Sequence, residues 1–189
     1  MEEKRQSVTF HSHLDLAHQY WQKVAQKDSW AIDATCGNGY DTLFLAKICA
    51  GVIAIDIQEK AIENTRSLIQ DLSHVHFFCQ SHVDFPKSAN EKPISLIVYN
   101  LGYLPGGDKE LTTLSSSTLE SLSSAMEIVL PGGLISLTCY PGHPEGAHEE
   151  KALLGVASGL DPKRWTICHH QWKNRQKAPS LLLLQKNFR

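Results

Sequence analysis

The sequence predicts an α/β fold: a mostly parallel sheet with helices on both faces and a last strand that runs antiparallel. Three observations carry this. Residues 31–43, AIDATCGNGYDTL, end an apolar run in Asp33, pass through a glycine turn and open a helix; a second apolar run, 52–56, then ends in Asp56. Short apolar runs go on alternating with helix-like segments along the chain, which is how parallel sheets are built. The last two apolar runs are joined by a polar loop with no helix between them, so they form an antiparallel pair.

The elements follow in order. Residues 8–26 carry apolar side chains at Leu14, Leu16, Ala17, Tyr20, Trp21 and Val24, a helical spacing, and this helix is expected to cover one side of a ligand cleft. Strands are expected over 30–34 and 52–55, with a helix over 41–49 between them. The segment 58–72 is amphipathic, with Ala61, Ile62, Thr65, Leu68, Ile69 and Leu72 on one face. Strands at 75–79 and 94–99 come next. Residues 113–129 form a helix with the stripe Leu114, Thr118, Leu122, Ala125 and Val129. The Pro131-Gly132-Gly133 turn leads into a strand over 133–140. A helix over 145–158 and strands over 164–171 and 180–185 complete the chain.

Composition sets bounds. The 189 residues suit a single domain spanning 1–189, with 42% hydrophobic residues and a net charge of −2. No run of about 18 apolar residues is present to span a bilayer, and residues 1–6, MEEKRQ, lack the apolar core of a signal peptide. The five cysteines are scattered and mostly sit in apolar runs; they read as small buried hydrophobes in a reducing compartment, and the expected location is cytoplasmic.

The glycine turn carries the first chemistry. Gly37 and Gly39 let the backbone turn tightly and approach a ligand. Asp56, 19 residues after Gly37, stands where an acid accepts hydrogen bonds from a ribose diol. A dinucleotide fold needs a third glycine so that a helix end can meet a pyrophosphate, but Thr42 occupies that position. The acid at the end of the first strand, Asp33, suits the ammonium and sulfonium of S-adenosylmethionine, directly or through water. The alternative is an ordinary glycine turn in an α/β domain.

Residues just after each strand are the remaining candidates, because ligands lie beyond the carboxyl ends of parallel strands. Asn100 and Tyr103 fall at the first and fourth positions of the Asn-Pro-Pro-Tyr pattern of amine-directed methyltransferases, with Leu101 and Gly102 replacing the prolines. An amine needs acceptors that aim its lone pair, and an aromatic ring stacks on a planar base; Asn100 and Tyr103 are the catalytic candidates. Leu101, Gly102, Asp108 and Lys109 from the same loop, with His143 after the fifth strand, are assigned to the substrate. A glycine-rich surface loop capped by Asp108 is the alternative. Ser81 and His82 follow the third strand, where this fold contacts an adenine; a purely structural role is the alternative for His82. His143 and His148 lack helical spacing and a third ligand, so no metal is expected.

Together these segments resemble a bacterial family first labelled "putative rRNA methylases", whose better-defined members are the tRNA 5-(aminomethyl)-2-thiouridine methyltransferases. The resemblance rests on DATCGNG-x-DTLFLA (33–46), Asp56-Ile57-Gln58, NLGYLPGGDK (100–109), Y-x-GH-x-EG (140–146) and Lys177-Ala178-Pro179, and runs from about His18 onward. It implies a Rossmann-like class I methyltransferase, S-adenosylmethionine as cofactor, and N-methylation of the aminomethyl group on the tRNA wobble uridine. By matching positions it places Asn38, Tyr40, Asp56, Gln58, Ser81 and His82 around the cofactor. Tyr40 departs from the family, which commonly has Asn there.

The C-terminal stretch carries Lys163, Arg164, Lys173, Arg175, Lys177, Lys186 and Arg189 against Asp161 alone. Such asymmetry fits a phosphate-contacting edge for the anticodon region of a tRNA, with Lys173, Arg175 and Lys177 near the last loop; ordinary charge scatter fits it equally. A homodimer joining two such edges is compatible with the pattern. Competing functions keep the cofactor and change the acceptor to rRNA, a small amine or a protein, or make the fold a non-catalytic cofactor-binding scaffold.

Overall fold

The structure is a computed structural model and describes residues 11–70, 72–102, 115–175 and 177–188. The elements are α1 (His13–Val24), β1 (Trp30–Asp33), α2 (Tyr40–Ile48), β2 (Gly51–Asp56), α3 (Glu59–Leu68) and β3 (Val75–Cys79), then β4 (Ile94–Asn100), α4 (Ser115–Ile128), β5 (Leu134–Cys139), α5 (Pro144–Ser158), β6 (Trp165–His170) and β7 (Ser180–Lys186). A short 3₁₀ turn, Lys87–Glu91, bridges β3 and β4. Five residues are too few to print a periodicity, so the sequence does not announce it. The first helix starts later than its apolar pattern suggests, because Ser12 takes the extended cap conformation and accepts the Asp15 N–H at 3.1 Å.

All seven strands form one sheet in the order β3-β2-β1-β4-β5-β7-β6. Strands β1 to β5 pair in parallel, whereas β7 runs antiparallel to both β5 and β6. The chain moves outward from β1 to β3 and then returns to β4 on the other side of β1. Loops after β1 and β4 therefore diverge from adjacent strands, and the crevice between them is where such sheets bind ligands.

The strands read as continuous apolar runs because both faces are covered. Ile32, Ile53, Ile55, Ile97 and Tyr99 pack with Leu122 and Ala125 of α4 and with Leu153 and Ala157 of α5. Their strand neighbours Ala31, Val52, Ala54, Leu96 and Val98 point the other way, to Trp21 of α1, Leu45 of α2 and Ile62 of α3. Among the described residues no helix is long and apolar enough to cross a membrane.

At the far edge of the sheet, Lys186 Nζ donates to the carbonyls of Met126 and Val129 at 2.9 and 2.8 Å. A cation there satisfies carbonyls that the end of α4 leaves open and complements the helix dipole. Lys186→Met keeps the stem and removes the charged donor, so it should lower unfolding free energy by about 1.5–3 kcal/mol. Urea titration reads this directly; an unchanged midpoint would mean that water serves those carbonyls equally well.

Candidate active site

The crevice is built on the turn after β1. Ala34 N–H donates to Val98 O and Cys36 N–H to Ile55 O, both at 2.9 Å, which lays this segment between β4 and β2. Gly37 and Gly39 then take φ of +52° and +87°, values that side chains disfavour. A Cβ on Gly39 would stand 2.8 Å from Thr65 Cα, a collision with backbone that cannot relax easily. Asp56 closes the turn: Oδ2 accepts the Gly37 N–H at 3.0 Å and Oδ1 the Gln58 N–H at 2.9 Å. Thr65 donates to Gly37 O at 3.1 Å, and Asn64 donates to the side chain of Asn38 at 3.1 Å. Burial raises the Asp56 pKa, against the pull of its backbone donors. With four lone-pair sites on its two oxygens, the carboxylate keeps acceptor capacity beyond its backbone donors Gly37, Ile57 and Gln58, as a diol requires.

Asp33 sits behind the turn. It is 1% exposed, takes the Thr42 hydroxyl on Oδ2 at 2.6 Å, and receives the Thr35 N–H on Oδ1 at 3.4 Å. Burial foremost, and then the charge of Asp41, push its pKa up to about 7. Of the two routes expected for Asp33, direct or through water, this burial favours the one through the turn or a water. Thr42, the residue that breaks the three-glycine pattern, is the partner that holds it.

Asn100 ends β4 beside the turn. Its N–H donates to Thr35 Oγ1 at 2.7 Å, and Leu101 N–H donates to Thr138 O at 2.9 Å. Its Nδ2 donates to Asp41 Oδ2 at 3.3 Å, while His18 Nε2 meets Asp41 Oδ1 at 2.8 Å. The Tyr140 hydroxyl hydrogen-bonds the Asn100 side chain and lies 3.4 Å from His13 Nε2. Burial pushes Tyr140 up to about 12 and lowers His13, so both are held neutral. The sequence reading missed Asp41, Tyr140, His13 and His18. Tyr140 directly follows a strand, and His18 lies one turn from both Leu14 and Trp21 on the apolar face of α1; those were the available signals.

The other candidates divide. His82 is buried with its ring edge toward Tyr99, and its Nδ1 has no hydrogen-bond partner among the described residues. Ser81 accepts the Val83 N–H at 3.3 Å. Tyr40 is 71% exposed at the start of α2. Leu101 is corrected: its side chain is 2% exposed and belongs to the core, because alternate residues at a strand end face opposite ways. Gly102 takes φ +123° with a ring atom of Tyr140 in ordinary contact of its Cβ position. Tyr103, Asp108 and Lys109 lie outside the described residues. His143 caps α5, its Nδ1 accepting the Gly146 N–H at 3.1 Å. Among the described residues no group of three His, Cys, Asp or Glu is placed to hold a metal ion.

The basic stretch is also corrected, because the β6–β7 hairpin splits it. Lys173, Arg175 and Lys177 are exposed in the loop at the site end of the sheet, where the Lys177 carbonyl passes 3.5 Å from the Cβ position of Gly142. Arg175 stacks on Trp172 at 4.7 Å. Lys163, Arg164 and Lys186 stand at the start of β6 and the end of β7, at the opposite end of these strands. A cleft of about 460 Å³ between α4 and β6, lined by Arg164, Trp165 and Lys186 among others, lies there too, away from the crevice.

Comparison with known proteins places the family and the fold. The family described as "Putative rRNA methylase" matches residues 52–186. The chain belongs to this family. The methylase is 41% identical over 187 residues to the chloroplastic tRNA (mnm(5)s(2)U34)-methyltransferase of Arabidopsis thaliana, covering 91% of this chain and 68% of the relative. It superimposes on a "putative rRNA-methylase" from Clostridium thermocellum with a TM-score of 0.87 at 32% identity, covering 95% of this chain and all of the other. A "putative methyltransferase" from Streptococcus mutans, solved in complex with S-adenosylhomocysteine, gives 0.84 at 29% identity, covering 94% and 99%. The fold is that of the Rossmann-like methyltransferases.

Burial of Asp33 makes the methylase's stability depend on pH. Its folded pKa, about 7, lies above the unfolded value of 3.8. Below both values this carboxyl is protonated in either state and its stabilising contribution is complete; the contribution is lost as pH rises toward and through 7. Asp33→Asn keeps one acceptor oxygen for the Thr35 N–H, lets the Thr42 hydroxyl turn to accept from the amide NH₂, and cannot ionise. The ligand-free wild type should therefore lose more stability than the variant between pH 4.5 and 7.5, measured as urea midpoints. Parallel pH profiles would contradict the shift.

Proposed function

We propose that this chain transfers a methyl group from S-adenosylmethionine to the aminomethyl nitrogen of 5-aminomethyl-2-thiouridine at the tRNA wobble position. The observation that carries this is Asn100, held at the mouth of the crevice between Asp41 and Tyr140 and beside the turn closed by Asp56. The Arabidopsis relative is named for the corresponding methylated product.

The cofactor supplies an electrophilic methyl on sulfur, and the residues present fit it. Asp56 accepts the ribose diol on its remaining lone pairs, and Gln58 lies beside it. Gly37, Asn38 and Gly39 let backbone approach the ligand, Tyr40 flanks them, and Asp33 braces the turn from below. The buried His82 Nδ1, which has no hydrogen-bond partner among the described residues, and the Ser81 hydroxyl would meet the adenine edge. Asn100 Oδ1 accepts an N–H of the neutral amine and points its lone pair at the methyl, with Tyr103 as the stacking partner of the base. Neutral Tyr140 and His13 surround the amine without adding charge. The transfer asks for aim more than for a strong base, and oriented acceptors supply it.

The chain acts as one domain covered by α1, whose His13 and His18 reach Tyr140 and Asp41. Gly102 and His143 flank the nucleoside, Asp108 and Lys109 are its further partners by their place in the sequence motif, and the loop with Lys173, Arg175 and Lys177 takes the phosphates of the anticodon region. Two copies could join such loops in a homodimer. We place the reaction in the cytoplasm, whose reducing conditions suit five free thiols.

Mass spectrometry of tRNA nucleosides from cells lacking the protein should show 5-aminomethyl-2-thiouridine accumulating and its methylated form missing. Unchanged tRNA together with an unmethylated rRNA base would move the assignment to rRNA. Reversing Lys173, Arg175 and Lys177 to Glu should raise the Michaelis constant for tRNA by about tenfold or more at low salt and flatten its salt dependence. Calorimetric affinity for S-adenosylhomocysteine should stay the same; a Michaelis constant that does not move would take the phosphates off this loop.

A further inference from the structure

The geometry points to Asp41 as a positioning residue for methyl transfer, one that fixes which end of the Asn100 amide faces the acceptor amine; we propose this on the reading of Asn100 given above. The two ends of an asparagine amide are alike in size and opposite in function. Turned one way, Oδ1 accepts an N–H from the substrate and leaves the nitrogen lone pair aimed at the methyl. Turned the other way, Nδ2 donates to that lone pair and occupies the electrons the reaction needs. An ionised carboxylate only accepts, so a carboxylate beside Asn100 selects the productive orientation.

Asp41 is placed to do this. Its Oδ2 takes the Asn100 Nδ2–H at 3.3 Å, and its side chain is only 15% exposed. The other oxygen is held by His18 Nε2 at 2.8 Å. That ring is fixed in turn, stacked on Phe44 with centroids 3.9 Å apart and planes 14° apart, and tilted against Trp21 at 4.8 Å. On the far side, the Tyr140 hydroxyl hydrogen-bonds the same side chain. With Nδ2 turned to Asp41, Oδ1 is the end that the substrate amine meets. The line runs from buried Trp21 of α1 and half-buried Phe44 of α2 through His18 and Asp41 to Asn100, and it sets the acceptor before substrate arrives, when orientation costs the reaction nothing.

Single-turnover methyl transfer to tRNA carrying 5-aminomethyl-2-thiouridine tests this, with S-adenosylhomocysteine affinity measured by calorimetry on the same full-length variants. Asp41→Ala should lower the rate at saturating substrate by about tenfold or more, with the tRNA Michaelis constant and cofactor-product affinity changed less than about threefold. Asp41→Asn, whose amide oxygen can take the Asn100 N–H, should recover most of that rate. Three results would overturn the proposal. One is an Asp41→Ala rate within about twofold of the parent while Asn100→Ala is inactive. Another is a raised Michaelis constant with an unchanged maximal rate, which would make Asp41 a charge partner of the substrate ammonium. The third is equal loss in both Asp41 variants with weakened S-adenosylhomocysteine binding, the mark of a cofactor contact or a collapsed turn. An Asn100→Ala enzyme as active as the parent would instead remove the reading of Asn100 beneath it.

Discussion

The carboxylate of Asp56 closes the glycine turn onto the second strand, and the rest of the site depends on that closure. Its two oxygens hold the Gly37 and Gln58 N–H groups at once, so one side chain joins the start of the turn to the start of α3. Thr65 on α3 returns a bond to Gly37 and leaves no room for a side chain on Gly39. Gly39 is where α2 begins. The position of Asp41, in the first turn of that helix, follows, and so does its contact with Asn100. A loosened turn would be felt across the crevice at an amide on another strand.

Topology makes this coupling short. Strands β1 and β4 are neighbours in the sheet although they are far apart in sequence, and the chain leaves them in opposite directions. Thr35, just after β1, caps the Asn100 N–H with its hydroxyl. The glycine turn after β1 and the Asn100 end of β4 are thus tied to each other at the root, with α1 laid over them through His13 and His18. Burial lowers His13 and raises Tyr140, so these two neighbours of Asn100 add no charge beside the Asp41 carboxylate.

Much of this was legible in the sequence, for reasons that differ by element. The strands were plain because both faces are covered and their residues are apolar throughout, from Val52 to Ile55 and from Leu181 to Leu184. The single antiparallel strand was legible from a missing helix. The glycine turn, Asp56 and Asn100 stood out because their chemistry is local. Asp41, His13, His18 and Tyr140 did not, since their meaning lies in contacts between positions 18, 41, 100 and 140 that only the sheet brings together. Leu101 was assigned to the substrate because it lies in the motif, yet the strand's alternation turns it into the core. Lys186 looked like part of a phosphate edge until β7 carried it back to the end of α4, where three carbonyls surround it.

The central claim is that the purified chain methylates one aminomethyl nitrogen. It is tested most directly by incubating the chain with S-adenosylmethionine and an anticodon stem-loop bearing 5-aminomethyl-2-thiouridine, then resolving the nucleosides by mass spectrometry. The account predicts a gain of one methyl group, located on the side-chain nitrogen, with the 2-thiouridine ring unchanged. Inertness of that stem-loop and of full-length tRNA with the same modification, alongside methylation of rRNA or a small amine, would contradict it.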